Sequence, residues 1–254
     1  MYQELKGKSV LVTGASRGIG AATAIAFAKN GARRVVIHYG SYREGAEATM
    51  AAVKAAGAET QAIQADLGSE EGIRAFVETL KSMPPAFDIL VNNAGSLVQR
   101  AGLSDFTPEL YDRVFHLNAK SVYFIAQAVV PYMIERQSGV IVNLSSIAAR
   151  NGGGPGATIY SAAKAAVACL TKGIAKELAP RGIRVNAVSP GTVDNHFHQV
   201  FSNAQILENM VKQTPAARLG DNEEVADTIL FLCSDGARFI YGQTIEINGG
   251  MYMV

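Results

Sequence analysis

Ser9-Val10-Leu11-Val12-Thr13-Gly14-Ala15-Ser16-Arg17-Gly18-Ile19-Gly20 is the stretch that decides the architecture of this chain. Val10, Leu11 and Val12 are apolar without alternation, as in a strand covered on both faces. The run leads straight into a glycine-rich turn and then into a helical pattern over Ile19–Lys29, stopped by Gly31. Glycines allow a tight turn and let backbone N–H groups approach an anion, and the helix N-terminus adds partial positive charge. A strand, a glycine turn and a helix in this order predict a pyrophosphate site in the first βα turn of a dinucleotide-binding sheet.

The same alternation continues outward. Strands are expected at Ser9–Thr13, Val35–Tyr39, Thr60–Ala65, Ile89–Asn92, Gly139–Leu144, Ile183–Val188 and Gln243–Ile247. Helices are expected at Ile19–Lys29, Glu44–Ala56, Glu70–Lys81, Pro108–Glu135, Thr158–Leu178 and Glu223–Cys233, with Gly57, Pro84-Pro85 and Pro180 as further stops. Repeated strand–helix–strand order requires crossovers and therefore parallel neighbours. The fold class is α/β: a Rossmann-type doubly wound parallel sheet of about seven strands with helices on both faces. No compositional break or repeat divides the chain, so residues 1–254 read as one dinucleotide-binding domain.

Bulk composition narrows the partners. The chain has 254 residues, is 48% hydrophobic and 18% charged, and carries a net charge of +1. Such a balance gives no field to hold nucleic acid or an anionic membrane. There is no charged-then-apolar leader and no run of ~18 apolar residues. Cys169 and Cys233, distant and within apolar helical patterns, read as buried thiols in a reducing compartment, which predicts a cytoplasmic protein.

The glycine spacing is Gly14-xxx-Gly18-x-Gly20, and other marks follow in order: Asp66, Asn92-Asn93-Ala94-Gly95, Asn118, Ser145-Ser146, Tyr160-xxx-Lys164 and Pro190-Gly191. On these motifs the sequence resembles the short-chain dehydrogenase/reductase family over essentially its whole length, and in overall look it is nearest the 3-oxoacyl-[acyl-carrier-protein] reductases. The resemblance implies a cytoplasmic oxidoreductase that moves a hydride between a nicotinamide cofactor and a ketone or secondary alcohol. It also implies a homo-oligomer, dimer or tetramer, packed through Pro108–Glu135 and the helix carrying Tyr160.

Strand two ends Tyr39-Gly40-Ser41-Tyr42-Arg43, with no acid before Glu44. A carboxylate there would favour a ribose 2′-hydroxyl and repel a 2′-phosphate. With Arg17 inside the glycine turn and Ser41 as a hydroxyl donor, NADP(H) is preferred and NAD(H) is the alternative. The cofactor-binding set is Gly14, Ser16, Arg17, Gly18, Ile19, Gly20, Tyr39, Gly40, Ser41, Asp66, Leu67, Asn92, Asn93, Ala94, Gly95, Tyr160, Lys164, Pro190, Gly191 and Val193. By resemblance, Asp66 and Leu67 hold the adenine, Asn92 to Gly95 line the ribose side, and Val193 offers backbone groups to the carboxamide. The usual threonine near that carboxamide is replaced by Asn195.

Tyr160 and Lys164 are four residues apart and share a helix face. A free phenol has pKa ~10, and a cation within ~4–6 Å lowers it. Tyr160 is thus the expected proton donor in reduction, made acidic by Lys164, which also serves the nicotinamide ribose. A hydroxyl must hold the carbonyl oxygen. Ser146 is expected to do so, with Ser145 in reserve, because the Ser146–Tyr160 interval of fourteen is one longer than the family's usual thirteen. By resemblance, Asn118 completes the catalytic set, as the family asparagine that bends its helix and holds a water leading toward the lysine. Arg136 and Arg181 are candidates to flank the site and meet an acidic carrier protein. His196 and His198, in an expected loop, read as substrate-lid or solvent-facing residues, and no metal is expected because nothing nearby completes a ligand set. The rival readings are a sugar-nucleotide epimerase, disfavoured by length and glycine spacing, and a non-catalytic NADP-binding regulatory protein.

Overall fold

A computed structural model describes residues 2–83 and 87–254; the Pro84-Pro85 helix stop lies outside the described residues. Seven strands form one sheet, in which every pair of neighbours is parallel. They are β1 (Ser9–Val12), β2 (Arg34–Tyr39), β3 (Glu59–Gln64), β4 (Ile89–Asn92), β5 (Gly139–Leu144), β6 (Ile183–Pro190) and β7 (Thr244–Ile247), in the order β3-β2-β1-β4-β5-β6-β7. The chain moves outward from β1 to β3 and then returns to the other side of β1. The switch between β1 and β4 opens a crevice at their carboxyl ends, where such sheets bind ligands.

The unbroken apolar strands have a direct cause: every inner residue faces a core. Val10, Val12, Ile37, Val91 and Val142 pack toward α1 (Gly18–Lys29), α2 (Arg43–Ala55) and α10 (Asn222–Cys233). Leu11, Val36, Leu90 and Ile141 pack toward α3 (Glu70–Ser82), α5 (Ser121–Arg136) and α7 (Thr158–Leu178). β1, β4, β5 and β6 are buried throughout, while edge strand β3 is partly exposed. The doubly wound, Rossmann-type α/β class expected from the alternation is the observed fold. No helix among the described residues is long and apolar enough to cross a membrane.

Three local expectations need correction. The helix expected over Pro108–Glu135 is broken into α4 (Pro108–Phe115), a wide π-type turn at His116–Lys120, and α5. Asn118 is the cause: its Nδ2 donates to the Val114 carbonyl oxygen at 2.9 Å and to the Ser96 carbonyl oxygen at 2.8 Å, competing with the regular ladder. The stretch read as a loop after Asp194 carries two further helices, α8 (His196–Phe201) and α9 (Ala204–Gln213), beyond the short α6 (Ala148–Asn151) that follows β5. Cys233 is buried, but Cys169 is exposed on the outer face of α7.

On β6, buried Arg184 donates to the carbonyl oxygens of Leu232, Cys233, Ser234 and Ala237, satisfying the end of α10 and the turn after it. Charge-assisted bonds to a helix C-terminus are among the stronger ones in proteins. Arg184→Met is expected to cost about 3 kcal/mol in urea unfolding, with Arg184→Lys losing less because it keeps the charge but not the fork.

Candidate active site

The glycine turn is held by its neighbours on all sides. The Thr13 hydroxyl accepts from the N–H groups of Asn93 and Ala94, both at 3.0 Å, which ties the end of β1 to the end of β4. Asn93 Nδ2 donates to the carbonyl oxygens of Thr13 at 2.8 Å and Gly14 at 2.9 Å. Gly14 has φ +64°, and a Cβ there would lie 2.8 Å from Ala94 Cα. A Cβ on Gly20 would overlap Asn93 Nδ2 and the Gly14 carbonyl oxygen. Only glycine fits this cradle, which leaves the N-terminus of α1 open to an anion; the residues present therefore fit a dinucleotide pyrophosphate.

His38 supplies a support that the sequence did not announce. Gly14 N–H donates to His38 Nδ1 at 3.1 Å, and His38 Nε2 lies 3.0 Å from the Ala65 carbonyl oxygen, so the ring is neutral with its proton on Nε2. Burial pushes its pKa down to about 4, against the pull of the Ala65 carbonyl and the Asp66 charge. The unfolded chain therefore takes up a proton between pH 6.5 and pH 4 that the folded chain refuses. The stability His38 contributes is complete above pH 6.5 and lost as pH falls through that window. Urea unfolding is expected to show about 2 kcal/mol less stability at pH 5 than at pH 7, a difference that His38→Gln removes.

A cleft of about 910 Å³ runs from the glycine turn across the carboxyl edge of the sheet, within the range of small-molecule sites. Of the residues singled out from the sequence, Gly14, Ser16, Arg17, Gly18, Ile19, Gly20, Gly40, Ser41, Asp66, Leu67, Asn93, Ala94, Gly95, Ser146, Tyr160, Lys164, Pro190, Gly191 and Val193 line it. Three of the expected residues do not. Tyr39 is buried in the core on the α1/α2 side. Asn92 points inward, donating to the Val122 carbonyl oxygen and to Asn143 Oδ1 at 2.9 Å, because adjacent strand residues face opposite ways. Asn118 is fully buried behind the wall, where its Oδ1 accepts from Ser96 N at 3.1 Å. A Cβ at Gly95 would lie 2.8 Å from Asn118 Oδ1 and 2.9 Å from Lys164 Nζ, so the two groups converge there.

At the far end of the cleft α7 presents Tyr160 and Lys164 on one face, with the Lys164 Nζ 5.8 Å from the Tyr160 ring centroid. Ser146 stands beside the phenol and acts to lower its pKa, and its hydroxyl accepts from Ala148 N at 3.1 Å. The Ser145 hydroxyl is spent on the Lys164 carbonyl oxygen at 2.9 Å, which leaves Ser146 as the serine beside Tyr160. Tyr160 is half-buried as a residue because part of its ring faces the cleft. Its hydroxyl is enclosed by protein, and that burial pushes the pKa up to about 12, against the lowering effect of Ser146. This corrects the expectation of a phenol already made acidic by Lys164. The lysine's ammonium donates to the Leu144 carbonyl oxygen at 2.8 Å, and its own burial brings its pKa down to about 8.

Other side chains are spoken for. Asn195 lines the cleft, but its Oδ1 caps α8 through Phe197 N at 3.1 Å. His198 faces Ser202 Oγ at 3.0 Å, and burial and the Arg100 charge lower its pKa. Among the described residues no cluster of three His, Cys, Asp or Glu side chains is arranged to hold a metal ion. Arg136 is paired with Asp88 at 3.0 Å, just before β4, and Arg181 lies just before β6. Both therefore sit at the amino edge of the sheet, away from the cleft, and do not flank it as expected. The sequence reading missed Arg100, which bonds the Phe201 carbonyl oxygen at 3.0 Å and the Pro155 carbonyl oxygen at 2.7 Å, tying the end of α8 to the loop before α7. It also missed Arg113, paired with Asp66 at 3.1 Å. Both partnerships span distant segments, and no local motif marks them.

Comparison with known proteins follows the same lines. A family model described as enoyl-(acyl carrier protein) reductase matches residues 14–252. A 3-oxoacyl-[acyl-carrier-protein] reductase of Staphylococcus aureus is 42% identical over 246 residues, 97% of this chain and 98% of that protein. Among solved structures, a putative NAD(P)-dependent gluconate 5-dehydrogenase from Beutenbergia cavernae with bound NADP superimposes with TM-score 0.90 at 30% identity, covering 97% of each chain. A short chain dehydrogenase/reductase family protein superimposes with TM-score 0.82 at 35% identity, covering 99% of this chain and 100% of the other. With a glycine cradle at one end of the cleft, a Ser-Tyr-Lys group at the other, and relatives matched along nearly their full lengths, the chain belongs to the short-chain dehydrogenase/reductase family.

Proposed function

We propose that this protein is an NADP(H)-dependent oxidoreductase that interconverts ketones and secondary alcohols, with 3-oxoacyl thioesters as the leading substrate class. The observation that carries the reading is the placement of Ser146, Tyr160 and Lys164 in the same cleft as the glycine cradle. A bound dinucleotide would be held by the glycine turn and Lys164 and would supply the hydride for the carbonyl carbon, or accept it from the alcohol carbon. In reduction the Tyr160 hydroxyl gives its proton to the carbonyl oxygen as the C=O bond becomes C–O–H. A phenol is protonated at neutral pH and so holds the proton that reduction needs, and because burial opposes its release, that release depends on the groups beside it. Ser146 donates to the substrate oxygen, and the Lys164 ammonium offsets the negative charge left on the phenolate. Asn118 acts one step back, fixing Ser96 and the wall beside Gly95.

Arg17 and Ser41 at the cofactor end, with no carboxylate at the end of β2, support the 2′-phosphate over the free hydroxyl. The NADP bound to the Beutenbergia cavernae relative agrees. Residues 1–254 are read as one domain, since both cores flank a single sheet. Two free thiols suit a reducing cytoplasm. Exposed Tyr111, Tyr123 and Phe124 on α4 and α5 suit a homodimer or tetramer.

The test is oxidation of NADPH against simple ketones, 3-oxoacyl thioesters and 2-enoyl thioesters, repeated with NADH. Turnover of the oxo compounds with NADPH at least tenfold above NADH is the expected result. Reduction of the enoyl compounds alone would move the chemistry to the C=C bond. Tight binding of NADPH without any turnover would leave a nucleotide-binding protein.

A further inference from the structure

Tyr42 occupies a position that its local role does not explain. It is the N-cap residue of α2, where short oxygen-bearing side chains satisfy the first turn, yet its side chain makes no capping bond. Its ring folds back over Gly45, three residues on. A Cβ at Gly45 would overlap that ring and the Ser16 carbonyl oxygen, so the absence of a side chain there makes room for both. The ring also carries the Arg17 guanidinium over its face, with the Arg17 Cζ 3.9 Å from the ring centroid. Arg17 forms no ion pair with a carboxylate among the described residues. Tyr42 thus packs against both Gly45 and Arg17 beside the cleft, which Arg17, Tyr42 and Ser41 all line.

We propose that Tyr42 is a positioning residue for the cofactor 2′-phosphate: it holds the Arg17 guanidinium flat and aimed into the cleft, and so sets the preference for NADP(H) over NAD(H). The inference rests on the NADP(H) reading above and assigns a residue to it. A guanidinium on a flexible stem loses side-chain freedom when it grips a phosphate. Stacking on an aromatic face limits that freedom beforehand and leaves the N–H fork free at its edges. The ring, not the hydroxyl, carries this effect, and it acts only on ligands that bear the phosphate.

The experiment is calorimetric titration of the full-length protein with 2′,5′-ADP and with 5′-AMP, which differ by that phosphate and require no turnover. Wild type is expected to bind 2′,5′-ADP more tightly. Tyr42→Ala is expected to weaken 2′,5′-ADP about fivefold while 5′-AMP stays within about twofold, and Tyr42→Phe is expected to match wild type. In an Arg17→Ala background Tyr42→Ala should have no further effect on 2′,5′-ADP. Tyr42 is exposed, so these variants fold, which unchanged thermal midpoints check. Equal weakening of both ligands by Tyr42→Ala would overturn the proposal, because it would make the ring an adenine contact. So would an effect that persists without Arg17, or a loss in Tyr42→Phe. A wild type without preference for 2′,5′-ADP would overturn the NADP(H) reading itself, whereas a preference that survives Tyr42→Ala would overturn the Tyr42 assignment alone.

Discussion

Tyr160→Phe is expected to lower kcat for ketone reduction by about 10²–10⁴-fold while leaving the NADPH dissociation constant within about threefold. The variant removes one oxygen and keeps the ring, whose neighbour Phe197 lies 5.7 Å away between centroids. What is lost is the phenol hydroxyl that stands beside Ser146, with the Lys164 ammonium 5.8 Å from its ring centroid. The cradle around Gly14 and Gly20 lies at the other end and is untouched, so binding and turnover should separate. Steady-state kinetics together with fluorescence titration of NADPH check the two halves. A parallel fall in both would mean that Tyr160 serves binding and not proton transfer.

Lys164→Met carries the second large effect. Loss of the ammonium removes the charge that offsets the phenolate, and a fall in kcat of about 10²-fold or more is expected. The pH dependence gives this prediction its sign. In wild type the reduction rate should hold through neutral pH and decline above about 8, as Lys164 loses its proton; Tyr160, with its pKa up near 12, is still protonated there. In Lys164→Met that limb should disappear. Stability should move as well. Between pH 8 and pH 10.5 the folded chain binds fewer protons at Lys164 than the unfolded chain does, so raising pH favours folding of the wild type. The stability difference between wild type and Lys164→Met should therefore shift in favour of wild type by about 3 kcal/mol across that window.

Much of this could be read from the residues in order. The continuous apolar runs at Val10–Val12 and Ile89–Val91 imply two covered faces, and the sheet has them. Tyr160 and Lys164, one helical turn apart, could only share a face. The failures have physical reasons too. Asn92 and Asn93 are chemically identical neighbours, but the twofold alternation of a strand sends one into the protein and the other to the glycine turn. Tyr39 was misplaced for the same reason. Asn118 broke a helix through bonds to Ser96, a partner distant in the chain. The helices α8 and α9 are short, yet each begins at an asparagine whose side chain accepts from the backbone, Asn195 and Asn203, a start signal that was available. The acidity of Tyr160 is not legible from the sequence, since burial and Ser146 act on it in opposite directions and their balance depends on the packed site.

The most direct measurement is a crystal structure of the protein with the oxidised dinucleotide and a secondary alcohol bound. One alcohol oxygen is expected within about 3 Å of both the Tyr160 hydroxyl and Ser146 Oγ, with the carbinol carbon facing nicotinamide C4. An alcohol oxygen held by other groups, with the Tyr160 hydroxyl out of reach of it, would contradict the assignment of Tyr160 as the proton donor.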